Sequence, residues 1–106
     1  MFRNQYRQGD ILISQALNWG QHVALKRKDS RVLAEGEATG HLHEVEAGTD
    51  IELYEDYRGT LWLKVNSPEA RITHPEHAPI IVPGGQYEVI RQHEFDPLEG
   101  RRQVTD

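Results

Sequence analysis

Turn-forming residues recur every few positions along this chain: Gly9-Asp10, Asn18 with Gly20, Lys28-Asp29-Ser30, Ala47-Gly48-Thr49-Asp50, Asp56-Tyr57-Arg58-Gly59, Asn66-Ser67-Pro68 and Pro83-Gly84-Gly85. Punctuation this dense leaves no room for a long helix, and the runs between are short and rich in β-branched and aromatic side chains. Residues 11–14, 22–26, 31–35, 51–54, 60–65, 70–73 and 86–93 read as strands, with a further short one carrying His41 and His43. Leu61, Leu63 and Val65 share one face of theirs, and Pro68, which cannot donate to a ladder, is expected to separate 60–65 from 70–73. Residues 15–21 read as a loop in which Trp19 packs rather than binds. About eight short strands at spacings of about 8–12 residues define an all-β chain, a small barrel or sandwich.

At 106 residues the chain has length for one core. The expected organisation is a single barrel-like domain over 1–95 and a charged C-terminal tail over 96–106. The chain has no cysteine, which excludes disulfides, thiolate metal sites and a cysteine nucleophile. No apolar run is long enough for a membrane span and no signal-like N-terminus is apparent, so the expected setting is cytoplasmic, with no membrane partner. A formal net charge of -5 argues against a general binder of long nucleic acid, which needs a basic footprint. A small anion held by a local cluster of His and Arg remains compatible with it.

Four of the six histidines fall in two short segments, 34–44 and 73–79. His41 and His43 are two residues apart, so on a strand both imidazoles point the same way, and His74 and His77 lie in a Thr-His-Pro-Glu-His-Ala-Pro stretch that answers them. Three chemistries suit such a set. Imidazoles can ligate a metal. They can serve as general acid and base on a phosphodiester whose 2′-hydroxyl attacks the adjacent phosphate, with an arginine stabilising the charge, and no metal is needed. Or they can be hydrogen-bonded core residues and loop residues without chemistry. The acid–base reading makes His41, His43, His74 and His77 the candidate catalytic residues and Arg91 and Thr39 the candidate ligand contacts, with no cofactor.

Gly9-Asp10-Ile11-Leu12, the stretch 33–43, His74-Pro75-Glu76-His77-Ala78-Pro79-Ile80, Pro83-Gly84-Gly85-Gln86-Tyr87-Glu88-Val89 and Arg91-Gln92-His93-Glu94-Phe95 together resemble a family of small bacterial and phage proteins associated with CRISPR type III ring nucleases. The resemblance implies a metal-independent phosphodiesterase that degrades cyclic oligoadenylate second messengers. A two-fold homodimer with the ligand near its interface is the expected assembly, since an even-membered ring can share that symmetry. His-x-His and Pro83-Gly84-Gly85 also partly resemble the cupin motifs, with Glu88 where a histidine ligand is expected, which implies the alternative of a cupin-like metal enzyme. The third class is a non-catalytic module that binds a nucleotide signal.

Overall fold

The computed structural model describes residues 4–17, 19, 24–36, 39–92, 94–96 and 100–102. Among these residues the protein is all-β, with no helix. The strands are β1 (Gln5–Gln8), β2 (Ile11–Gln15), β3 (Leu25–Lys28), β4 (Val32–Glu35), β5 (Leu42–Val45), β6 (Ile51–Asp56), β7 (Leu61–Thr73), β8 (Ile80–Arg91), β9 (Glu94–Asp96) and β10 (Gly100–Arg102). The first eight form one antiparallel sheet in the order β1-β2-β8-β7-β5-β4, with β6 also on β7 and β3 on β6; the sheet is not closed into a barrel. Among the described residues, β9 and β10 form a separate two-stranded pair, across the boundary expected between domain and tail. Positions 22 and 23 of the expected strand 22–26, and positions 93, 97–99 and 103–106, lie outside the described residues.

β7 and β8 are the spine. β7 runs without a break through Asn66-Ser67-Pro68, and β8 runs through Pro83-Gly84-Gly85, so the two expected interruptions are one bulge within two long strands. Val65 pairs with Gly85 and Glu69 with Pro83, which leaves Asn66, Ser67 and Pro68 opposite Gly84. Pro68 is tolerated because a bulge asks for no ladder hydrogen bond from it. Gly84 is required, since a Cβ there would lie 2.7 Å from the Ser67 carbonyl oxygen. Gly85 has φ 154°, a conformation L side chains rarely adopt, and the Tyr87 hydroxyl closes over the kink by donating to the Pro83 carbonyl at 2.7 Å.

The bulge has two consequences. β7 changes neighbours across it: its first half pairs with β6 (Ile51↔Val65 to Glu55↔Leu61), its second with β5 (Glu44↔Thr73, Val45↔Ile72). The positions that face the core also change from odd (Leu63, Val65, Tyr87, Val89) to even (Ala70, Ile72, Val82), with Trp62 buried on the other face. One core results, joining Ile11 and Ile13 of β2, Leu33 of β4, Val45 of β5 and Ile51 and Leu53 of β6 to those residues. Each large aliphatic side chain fully buried there is worth about 1.5–3 kcal/mol. At one end the interior turns polar, where Gln8, Asp10, His43 and His74 are buried. No helix among the described residues is long and apolar enough to cross a membrane.

Candidate active site

The polar end is assembled from the β1–β2 turn, the start of β5 and the chain just after β7. Gly9 and Asp10 form a two-residue hairpin turn between Gln8 and Ile11, with Gly9 at φ 57°. In the connection between β4 and β5, the Gly36 N–H donates to the His41 carbonyl (2.7 Å), the Gly40 N–H to the Gly36 carbonyl (2.8 Å) and the His41 N–H to the Thr39 hydroxyl (3.1 Å). Gly40, at φ 74°, completes this tight loop, which delivers His41 to the entrance of β5. After Thr73 the chain turns through His74-Pro75-Glu76-His77, and the Glu76 N–H donates to His74 Nδ1 at 3.0 Å. A neutral His74 therefore carries its proton on Nε2.

The four expected histidines do come together. The rings of His41 and His74 meet edge-on with centroids 5.5 Å apart, His43 and His74 are 4.3 Å apart, and His74 and His77 are 4.6 Å apart. His77 lies nearly parallel to His43 at 6.3 Å. Their surroundings differ sharply. The His41 side chain is 29% exposed, with Nδ1 3.7 Å from a Glu76 carboxylate oxygen. His41 and His74 line a cleft of about 440 Å³ together with Gly40, Leu42, Glu44, Thr73 and Pro75. His43 is 0% exposed: Nδ1 lies 2.9 Å from Gln8 Oε1 and Nε2 2.9 Å from Asp10 Oδ1. It offers no nitrogen to a substrate, so its place is behind the cleft rather than in it. Burial, the strongest influence, lowers the His43 pKa below the ordinary histidine value; the hydrogen bond with Asp10 opposes it, and His74 and His77 add to the lowering.

The two expected ligand contacts have other partners. Arg91 donates from Nε to Asp10 Oδ2 at 3.0 Å and from Nη2 to the Glu35 carbonyl, which ties the end of β8 to β4. It borders a separate cavity of about 410 Å³ beside Leu33, Arg58 and Glu88, not the histidine cleft. Thr39 shapes the loop that carries His41. Gln8 and Asp10 were not singled out as site residues from sequence. The only signal for Asp10 is the Gly-Asp turn itself. Gln8 has none, although its Nε2 donates to the carbonyls of both Ile72 and Ala78 at 3.0 Å and so clamps the His74–His77 turn at its two ends.

A metal fits this arrangement poorly. Both nitrogens of His43 face Gln8 and Asp10, which removes the His-x-His donor pair, and among the described residues no group of three or more His, Asp or Glu side chains is arranged to hold a metal ion. The fold and the site together define an open antiparallel β-domain whose buried polar end presents two imidazoles to a cleft. The chain belongs to a family described as a domain of unknown function (DUF8820), which matches residues 7–92. No curated protein and no solved structure matches it.

Proposed function

We propose that this domain is a metal-independent acid–base enzyme acting through His41 and His74, and that its reaction is cleavage of cyclic oligoadenylate by attack of a 2′-hydroxyl on the adjacent phosphate. The observation that carries the acid–base part is the meeting of two imidazoles, from two separate segments of the sequence, on one cleft. The roles divide by hydrogen bonding. His74, its ring held by the Glu76 N–H at Nδ1, lines the cleft beside His41 and is assigned the hydrogen bond to a phosphate oxygen. His41 takes the proton of the attacking 2′-hydroxyl. The new O2′–P bond replaces the P–O5′ bond, and the departing 5′-oxygen takes its proton from solvent reaching the open cleft. The substrate class rests on the sequence resemblance.

A second reading has its own observation. The cleft is bordered by Glu44, no Lys or Arg among the described residues lines it, and Arg91 is held elsewhere. That balance favours a small neutral ligand over a ring of phosphates. Chelator-treated protein incubated with cyclic tri-, tetra- and hexaadenylate separates the two. The first reading expects ring opening to a 2′,3′-cyclic phosphate end and a loss of at least ~100-fold in His41→Ala with the fold intact. Rings recovered unchanged at every size would end it and leave the second.

A further inference from the structure

We infer that Asp10 and His43 hold one proton in common, on the line between Oδ1 and Nε2, and that Gln8, Asp10 and His43 are thereby the positioning residues of His74. The positioning role rests on the acid–base reading above; the shared proton does not.

The argument is an inventory of donors. Gln8 Nε2 has two hydrogens, and they go to two carbonyl oxygens, those of Ile72 and Ala78. The amide orientation is therefore settled, and Oε1 is the atom that meets His43 Nδ1 at 2.9 Å. An amide oxygen can only accept, so Nδ1 bears a hydrogen. On the other side of the ring, Nε2 meets Asp10 Oδ1 at 2.9 Å, while Oδ2 accepts from the Arg91 guanidinium. A neutral ring protonated at Nδ1 has a lone pair at Nε2, and a carboxylate oxygen has only lone pairs. Two acceptors at hydrogen-bond distance in a fully buried site would cost free energy rather than contribute it. One proton between them turns the contact into a strong bond; because burial disfavours a charged ring, that proton belongs to the pair and not to His43 alone.

Among the described residues, the charged and titratable groups facing the pair are Arg91 from β8 and His74 and His77 from the turn after β7. Arg91 already answers the Asp10 carboxylate, so the common proton leaves a rigid unit with both ring nitrogens hydrogen-bonded. His74 packs on that unit at 4.3 Å with the planes tilted by 39°, and Gln8 holds both ends of its turn. The His74 ring that lines the cleft is thus set by residues that never reach it.

Two variants at Asp10 and one spectrum decide this. Asparagine can place an N–H where the common proton sits and still offer its oxygen to Arg91; alanine can do neither. The expectation is that Asp10→Ala lowers kcat about 100-fold, the scale of misplacing a reacting group by about 1 Å, with KM little changed, and shifts the His74 ring resonances. Asp10→Asn restores both toward wild type. In ¹⁵N-edited NMR of the wild-type protein at neutral pH, His43 Nδ1 is protonated and a strongly deshielded proton appears on Nε2 or between it and Asp10. Asp10→Asn behaving like Asp10→Ala, or a His43 ring with Nδ1 bare, would overturn the shared proton. If no substrate is turned over, the acid–base reading fails by itself, while the ring signature and the rescue of the His74 resonances still decide the pair.

Discussion

Two buried aspartates organise two corners at one end of this domain, and they do so in contrasting ways. Asp56, at the end of β6, accepts only from nearby residues: the Arg58 N–H at 2.8 Å, the Thr60 N–H at 3.1 Å, the Trp62 indole N–H at 3.1 Å and the Arg58 guanidinium at 3.2 Å. Every lone pair meets a hydrogen, and Trp19 packs edge-on against Trp62 and Tyr54 above it. Asp10 instead reaches His43 and Arg91, 33 and 81 residues away. Its corner joins strands that share no ladder, since β1 and β5 are not paired. A carboxylate saturated by local donors builds a hairpin tip. One that faces another acceptor across the sheet has to hold a proton, and that is where the histidines gather.

The sharpest way to break this comparison is to empty the local corner. Asp56→Ala leaves the Trp62 indole and two backbone N–H groups without their acceptor and is expected to cost about 3 kcal/mol, the upper range for losing hydrogen bonds to a buried charge. Chemical denaturation measures it, and the ring resonances of His41 and His74 should stay in place; equal movement there would show the corners to be one unit. Gly84→Ala should act on both corners, because the bulge it sits in is where β7 exchanges β6 for β5. With a Cβ meeting the Ser67 carbonyl oxygen at 2.7 Å, the expected cost is about 1–3 kcal/mol, and resonances of both Trp62 and His74 should shift. An unchanged His74 would mean that the bulge is slack.

The smallest effect is in pH. Burial by itself would raise the Asp56 pKa, but the hydrogen bonds from Trp62, Thr60 and Arg58 outweigh it and hold the group below the usual carboxylate value. A depressed pKa contributes stability that is complete above the unfolded value, about 3.9, and is lost as the pH falls through the folded value. Stability measured from pH 5 downward should therefore fall less steeply in Asp56→Asn than in wild type. Equal slopes would remove Asp56 from the acid limb.

Much of the fold was legible because turns and short apolar runs are local properties. The alternation of Leu61, Leu63 and Val65 marks one half of β7, and the all-β class follows from the density of turn residues. Three features were hidden. β1, Gln5-Tyr6-Arg7-Gln8, has no apolar alternation and becomes a strand by pairing with β2. Pro68 and Pro83-Gly84-Gly85 look like breaks when met singly, and only their apposition makes a bulge in which neither strand needs the missing hydrogen bond. At the site, the two-residue spacing put His41 and His43 on one face of a strand, and both rings do lie beside His74. It could not say that one ring would border a cleft and the other be sealed from it.

Sequence alone determined that this chain is all-β and that four of its six histidines lie in two segments, because strand alternation and turn chemistry act over a few residues. Tertiary structure decided which histidine faces the cleft, that Arg91 serves Asp10 and Glu35 rather than a ligand there, and that Gln8 stands behind the site. Those outcomes depend on partners 33 to 81 residues apart. In so small an interior, a buried polar atom must take whatever donor or acceptor the folded strands bring within about 3 Å, and no local pattern encodes which one that will be.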